Sequence, residues 1–224
     1  MSGRRAEAAR NDARILAAAR SVFMADPNAP ISAVAERAGV GIAALYRRYA
    51  SKEELILRLY TDGIHAFLAE VEAALADDDD PWTAFRRFAH RSLEAGTGSL
   101  SYRFAGAFGF TDEIFAVYER SNAGMERLIE RTKAAGALRP DIGMGDLQWL
   151  FLPAYAIRAT DDLLARQLRH RFLAIMLDGL HAQNTTPLPG PSPDGEEYGA
   201  YWEDQLRKSG KPGTVFPKDR TPTT

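Results

Sequence analysis

The sequence predicts an all-α protein in which a small N-terminal helical domain is followed by a larger helical body. Two observations support this fold class. The helix formers Ala, Leu, Glu and Arg are abundant from Asn11 to Ala182, whereas strand-like runs of Val, Ile and Thr are absent there. Glycine and proline clusters also divide this region into segments of ordinary helical length.

Capping residues and breakers predict where the helices end. The prolines of ADPNAP end an amphipathic first helix that starts at about Asn11. Ser32 is expected to cap a short second helix, and Gly39 suits the left-handed conformation that closes such a helix. Ser51 and Glu54 form a capping box that opens a long fourth helix. Later helices are expected near 82–93, 112–135, 145–159 and 161–182.

Composition and motifs argue against several classes of function. The chain of 224 residues contains no cysteine, which excludes disulfides and thiolate zinc sites. It has no apolar stretch of 18 residues and no secretory signal, so we expect a cytoplasmic protein with no membrane partner. We find no Ser/His/Asp order, HExxH motif or phosphate-binding loop. We therefore expect no enzymatic activity, no metal and no cofactor.

Charge is distributed unevenly along the chain. Residues 1–59 hold nine Arg and one Lys against six acidic residues, a net charge of +4, and the remainder carries −6. Arg4, Arg5 and Arg10 lie near the N-terminus and are expected to form a mobile basic arm. This asymmetry favours an anionic partner for the N-terminal domain, although ordinary scatter of charge explains it equally well.

Three interpretations compete for the stretch AERAGVGIAALYRRYASKEEL, residues 35–55. Gly39, Gly41 and Ala44 match the dinucleotide pattern GxGxxA, but the preceding SAVAERA is helical, whereas that pattern requires a strand. A buried core helix explains the apolar positions and gives no role to the adjacent arginines. A helix-turn-helix explains both the tight turn at Gly39 and the small Ala35 where two helices cross.

A helix-turn-helix presents the helix that starts near Ile42 to the major groove of DNA. Ile42, Ala43 and Ala44 are too short or apolar for bidentate hydrogen bonds to bases, but they can contact thymine methyl groups. The fork of Arg47 can reach a base or a phosphate. Hydroxyl and cationic side chains nearby are the expected phosphate ligands: Ser32, Tyr46, Arg48, Tyr49 and Lys52.

Residues from about Asn11 to Tyr60 resemble the DNA-binding domain of tetracycline-repressor-type (TetR) transcriptional regulators. The resemblance is carried by ILAAARSVF, ISAVAERAGV and LYRRYASKEEL. It implies that Ile42, Ala43 and Ala44 touch bases, and that phosphates are bound by Tyr46, Arg48 and Lys52. Two positions depart from the family pattern. Gly41 replaces a frequent capping Ser, and Tyr49 replaces the commoner Phe.

The last predicted helix indicates a dimer. RFLAIMLDGL places apolar side chains around most of the helix, so the helix must be buried on most sides. A central helix of a monomer is the alternative. The family resemblance implies that the last two helices of each chain form a four-helix bundle. The interface is expected at Leu164, Leu168, Phe172, Ile175 and Met176.

Aromatic residues are concentrated in the body. Nine lie in the 37 residues from Trp82 to Tyr118, and an aromatic lining suits an apolar ligand. In the family, the corresponding helices enclose a small-molecule pocket, although simple core packing is the better explanation of any single aromatic. The candidate pocket residues are Phe85, Phe88, Tyr102, Phe104, Phe108, Tyr118, Trp149 and Tyr155.

We therefore expect three regions and one regulatory function. Residues 1–50 form the helix-turn-helix domain, 51–183 the ligand-binding and dimerisation domain, and 184–224 a Pro-rich linker with a mostly disordered tail. The chain is interpreted as a homodimeric repressor that binds a pseudo-palindromic operator on double-stranded DNA and responds to an unidentified small-molecule effector. The alternative is a helical small-molecule-binding protein or enzyme with a degenerate DNA-binding motif.

Overall fold

A computed structural model describes residues 2–96, 111–157, 159–183 and 186–194, together with 197, 200, 201, 204, 207 and 208. The described residues form eight α-helices, which confirms the all-α prediction. None of these helices is both long and apolar enough to cross a membrane. The helices are α1 (Ser2–Ala25), α2 (Ile31–Ala38), α3 (Ile42–Arg48), α4 (Lys52–Leu75), α5 (Pro81–Ala95), α6 (Asp112–Ala134), α7 (Met144–Ala156) and α8 (Asp162–Leu180).

The N-terminal domain, which we call the head, consists of α1, α2, α3 and the first two turns of α4. Its core is formed by buried side chains from all four helices, centred on Phe23, Val34, Leu45 and Leu55. Leu59 of α4 belongs to the same core. The boundary expected after residue 50 therefore falls at the start of a helix that the head and the body share.

Local capping explains how the turns of the head form, and it corrects two predictions. Pro30 precedes α2 as its N-cap and no side chain caps that helix, so the prediction that Ser32 caps it is wrong. Ser51 does cap α4 by accepting a hydrogen bond from the Glu54 N–H at 3.1 Å. The Glu54 carboxylate reaches back to the N–H of Ala50 rather than to that of Ser51. The expected N-terminal arm is part of a helix, since α1 already begins at Ser2.

Gly39 confirms the predicted turn between α2 and α3. It adopts φ of 62°, in the left-handed region that glycine tolerates best. Its N–H donates to Glu36, and the N–H of Val40 donates to Ala35, which closes α2 in a Schellman motif. Arg14 of α1 donates to the carbonyl oxygen of Ala38 at 2.6 Å, so α1 holds this turn in place.

The body is a bundle in which α4 packs on α5 and α6, while α8 packs on α5 and α7. Its core includes residues of all five helices, among them Val71, Phe85, Leu128, Leu147 and Leu173. Asp80 caps α5 with hydrogen bonds from the N–H groups of the first turn, and Pro81 occupies the expected first position. The long α4 thus connects the head core directly to the body core.

Part of the C-terminal segment packs on the start of α7, although the sequence predicted a linker there. The buried Arg139 pairs with Asp141 and also donates to the carbonyl oxygen of Thr186 at 2.7 Å. A side chain on Gly145 would come within 2.0 Å of the Pro193 carbonyl oxygen, so this close approach requires glycine. Further along, the Tyr201 ring meets the Trp149 ring edge to face at 4.8 Å. Thr186, Pro193 and Tyr201 of this segment therefore contact α7 or the loop before it.

Candidate DNA-binding surface

The short helix α3 points most of its side chains away from the protein. Leu45 is fully buried and anchors the helix in the head core. By contrast, Ile42 is 42% exposed and Tyr46 is 49% exposed, which is unusual for large hydrophobic side chains. Ala43 and Arg47 lie one turn apart on the adjacent exposed positions. The helix therefore presents a face of small apolar groups with a cation at its C-terminal half.

The N-terminal end of α3 is open to solvent. Gly41 is its N-cap with φ of −66°, and no side chain caps the helix. A side chain added at Gly41 would meet nothing within 4 Å, so this position does not require glycine for space or conformation. The N–H of Ala44 donates to the carbonyl oxygen of Gly41 at 2.9 Å, whereas those of Ile42 and Ala43 have no acceptor among the described residues.

Asp12 of α1 holds the C-terminal end of α3. Its carboxylate accepts hydrogen bonds from Arg48 Nε at 2.8 Å and Arg48 Nη2 at 3.0 Å, and from the Tyr49 hydroxyl at 2.7 Å. These contacts have electrostatic consequences. The hydrogen bond from Arg48 lowers the pKa of Asp12, and burial together with the hydrogen bond to Asp12 raises the pKa of Tyr49. The guanidinium of Arg48 also lies 5.5 Å from the centre of the Tyr49 ring.

These contacts change the role of one predicted phosphate ligand. Tyr49 is only 4% exposed, and its hydroxyl is used inside the head. In this arrangement Tyr49 positions α3 and does not offer its hydroxyl to the surface. Arg48 remains 56% exposed despite its pairing, and it keeps donors that face away from Asp12.

Lys52, another predicted phosphate ligand, also makes contacts within the head. Its ammonium donates to the carbonyl oxygens of Pro27 at 3.0 Å and Ala29 at 2.7 Å. It lies 5.1 Å from the centre of the Phe23 ring, within range of a cation–π interaction. Lys52 therefore ties the start of α4 to the loop between α1 and α2.

The other predicted DNA contacts are at the surface. Ser32 is exposed in the first turn of α2, and Ala44 is half-buried beside Leu45. Arg47 is exposed and has no hydrogen-bond or ion-pair partner among the described residues. Arg47 and Arg48 are adjacent in sequence, yet only Arg48 is held by an acidic side chain. Sequence reasoning did not identify Asp12 or Arg14, because each acts across helices on residues 24–37 positions away.

A second exposed face lies on α8. Its inner side is buried through Ala165, Leu173, Leu177 and Leu180. The outer side carries a stripe at helical spacing, whose predicted members are Leu164, Leu168, Phe172 and Ile175. Phe172 is 48% exposed and Ile175 is 56% exposed, whereas Met176 is half-buried against the body core. We refer to Leu164, Leu168, Phe172 and Ile175 as the α8 stripe.

Five of the predicted pocket aromatics lie in the described part of the chain, and all five are in the body. Phe85 and Phe88 lie in the body core, where Phe88 meets Phe67 edge to face at 5.7 Å. Tyr155 packs at the edge of the same core, and Tyr118 packs near α4 beside Val117. Trp149 meets Tyr201, and the remaining candidates, Tyr102, Phe104 and Phe108, lie outside the described residues.

A polar cleft of about 710 Å³ lies between α4, α5 and α8. It is lined by Glu70, Arg91, Leu93, Glu94, Ala95, Asp162, Arg166, Arg169 and His170. At its edge the Nδ1 atoms of His90 and His170 are 2.8 Å apart, and Glu94 lies 3.3 Å from His170 Nε2. Burial and the neighbouring His170 and Arg86 lower the pKa of His90. No group of three or more metal-binding side chains occurs in the described part of the chain.

The exposed α3 on a compact helical head, joined to a larger helical body, defines a helix-turn-helix transcriptional regulator. Comparison with known families agrees with this class. Residues 15–59 match the family described as bacterial regulatory proteins, tetR family. Residues 80–182 match the transcriptional regulator SbtR-like C-terminal domain. The chain therefore belongs to the TetR family of DNA-binding transcriptional regulators.

Solved structures show the same fold. The TetR regulator SCO0520 from Streptomyces coelicolor is 26% identical over 76% of this chain and 98% of its own, with a TM-score of 0.52. LfrR from Mycobacterium smegmatis, solved with proflavine, is 20% identical over 81% and 99%, with a TM-score of 0.55. The ketosteroid regulator KstR2 of Mycobacterium tuberculosis is 21% identical over 81% and 96%, with a TM-score of 0.53. A search of curated proteins gave no significant match.

Proposed function

We propose that this protein is a homodimeric repressor that binds a pseudo-palindromic operator in the cytoplasm and releases it when a small-molecule effector binds the body. The observation that carries this proposal is the exposed face of α3. On this face, Ile42 and Tyr46 are exposed beside Arg47, which has no acidic partner in the part of the chain that the structure describes, and together they form a surface that suits an anionic partner.

The α3 face favours a defined pattern of base contacts. Ile42, Ala43 and Ala44 carry no side-chain hydrogen-bonding groups, so they contact thymine methyl groups or allow close backbone approach. Arg47 contacts guanine through its bidentate fork, since that pairing is the commonest specific contact of arginine in the major groove. The proposed phosphate contacts, which fix the register of α3 in the groove, are Ser32, Tyr46, Arg48 and Lys52.

The α8 stripe supports the homodimer. A run of apolar side chains exposed over three turns is unfavourable for a monomer in water. In a homodimer, the same apolar stripe of a second chain buries it. Pairing through a two-fold axis sets two heads on one face of the duplex, about 34 Å apart. Effector binding in the body then shifts the dimer between two conformations that differ in the relative position of the two heads, and only one of these conformations fits the operator.

Selection of duplexes from a random library tests the operator proposal. The protein is expected to enrich an inverted repeat whose half-sites are about 10–10.5 base pairs apart, or a multiple of that spacing. Enrichment of a single half-site or of no common sequence contradicts the proposal. Release of the selected duplex by one compound of a metabolite library, without unfolding, tests the effector response.

Lys52 provides a test of the phosphate assignment. Lys52→Ala is expected to weaken binding to every duplex alike and to reduce the salt dependence of binding, because a phosphate contact carries no sequence information. Thermal unfolding must accompany this measurement, because the variant also loses two hydrogen bonds within the head. A change in base preference at a single position contradicts the assignment.

A further inference from the structure

We propose that Asp12 is a specificity-determining positioning residue of the head. It fixes Arg48 in one orientation for a phosphate of the operator and weakens binding to DNA in other registers. This inference rests on the proposed function, because it concerns how the same surface separates operator from other DNA. Asp12 lies on α1, outside both helices of the helix-turn-helix.

Hydrogen-bond geometry supports the positioning role. Both oxygens of the Asp12 carboxylate are engaged, Oδ1 by Arg48 Nε and the Tyr49 hydroxyl, and Oδ2 by Arg48 Nη2. A bidentate pair of this kind fixes the plane of the guanidinium as well as its position. Both partners of Asp12 come from the C-terminal end of α3. The carboxylate therefore also fixes the orientation of α3 relative to α1.

The pairing still leaves Arg48 able to bind a phosphate. A guanidinium has five N–H donors, and one on Nε and one on Nη2 point toward Asp12. The three remaining N–H groups, one on Nη2 and two on Nη1, point away from Asp12, and the side chain is largely exposed. An arginine that is already oriented loses less side-chain freedom when it meets a phosphate at the matching place.

The negative charge of Asp12 supports discrimination between the operator and other DNA. Binding of DNA in any register depends on the positive charge of the surface, and Asp12 cancels part of the charge of Arg48. The pKa of Asp12 is lowered, so the carboxylate stays ionised at neutral pH. In the operator complex the oriented Arg48 offsets this repulsion, whereas in a random register only the repulsion remains. Arg47, with no acidic partner among the described residues, keeps its full attraction for both kinds of DNA.

Substitution of Asp12 by Asn tests the inference, because Asn keeps the shape and one acceptor but removes the charge. Affinity is measured at several salt concentrations for the duplex that wild-type protein selects and for a scrambled duplex of equal length. For Asp12→Asn we expect tighter binding to the scrambled duplex and weaker binding to the selected one, so that their ratio falls about tenfold. Glu7→Gln is the matched control, because it removes an equal charge from an exposed position on α1 that forms no ion pair with Arg48, and it should keep that ratio.

A double-substitution cycle separates positioning from a loss of folding. In an Arg48→Ala background, Asp12→Asn is expected to leave the ratio unchanged, since no guanidinium remains to be oriented. An unchanged ratio for Asp12→Asn alone, or an equal loss on both duplexes with a lower melting temperature, overturns the inference and leaves the proposed function intact. If wild-type protein prefers no duplex, the proposed function fails and this inference fails with it.

Discussion

Two helices, α3 and α8, leave large apolar side chains in water, and they do so in different surroundings. On α3, Ile42 and Tyr46 lie beside alanines and next to two arginines, within a helix of only seven residues. On α8, Phe172 and Ile175 belong to an apolar stripe that runs over three turns, with the exposed Arg171 beside it.

This difference shows why exposure alone does not identify a partner. Small apolar groups beside cations fit the groove of a nucleic acid, where methyl groups and phosphates are close together. A long apolar stripe fits another stripe of the same kind, because both then bury apolar surface. The charged backbone of a nucleic acid offers no comparable apolar surface for it to bury. The two faces are therefore expected to respond in opposite ways to charge, salt and substitution.

The largest effect is expected at the α8 stripe. Phe172→Asp places a charge in the centre of the proposed interface and is expected to weaken the dimer by about 100-fold or more. Sedimentation velocity over a dilution series measures this effect. Leu163→Asp is the control, because Leu163 is also exposed but lies outside the stripe, and it should leave the dimer intact. A dimer that survives Phe172→Asp would place the interface elsewhere.

The next effect is expected on α3. Arg47→Ala should cost about 1–3 kcal/mol on the selected duplex and relax the preference at one base pair. Arg47→Lys keeps the charge and loses the bidentate fork, so it should restore the salt dependence without restoring the base preference. Competition binding against single-base variants of the duplex measures both. Loss of affinity with an unaltered base preference would assign Arg47 to a phosphate instead.

The two glycines of the turn provide a smaller and internally controlled test. Gly39→Ala forces a side chain into the left-handed conformation and against Arg14, so it should destabilise the head by about 1–2 kcal/mol. Gly41→Ser should change stability by about 0.5 kcal/mol or less, because φ there is −66° and the space is open. Chemical denaturation measures both variants, and equal losses would contradict this account of the turn.

The smallest expected effect is a difference between the head and the body in how their stability depends on pH. Because the pKa of His90 is lowered in the folded body, the unfolded chain takes up a proton at higher pH than the folded chain does. Stability of the body should therefore fall as pH drops below about 6.5, the ordinary pKa of histidine. Asp12, whose pKa is also lowered, stays charged over this range, so the head should not respond. Melting temperatures of wild-type and His90→Gln protein between pH 7.5 and 5.5 test this, and the variant should show the flatter dependence.

The sequence predicted the local features of the fold well. The turn at Gly39 and the cap at Ser51 were predictable because each is determined by a few adjacent residues. Ser32 was assigned wrongly as a cap because the N-cap of α2 is Pro30, two residues earlier. The resemblance to TetR regulators placed α3 correctly as a helix, although its predicted DNA contacts remain predictions.

Contacts between distant residues were not predictable. Asp12 gave no local signal, since its importance depends on Arg48 and Tyr49 arriving from another helix. The C-terminal segment looked like a free linker because its Pro-rich composition does not reveal that Gly143 and Gly145 leave room for it. Core and pocket aromatics share the same composition, so the sequence alone could not show that Phe85 and Phe88 are buried in the body core, and their role in a pocket stays a prediction.

The most direct test of the central claim is an electrophoretic mobility shift of the full chain with duplex DNA from its own genomic neighbourhood and with the selected duplex. The account predicts a specific complex of two chains per duplex, whose affinity falls steeply with rising salt and is lost when Ile42 and Arg47 are both replaced by Glu. Failure to retard any duplex, or retardation that survives this double substitution, would contradict the claim that α3 is the DNA-reading helix.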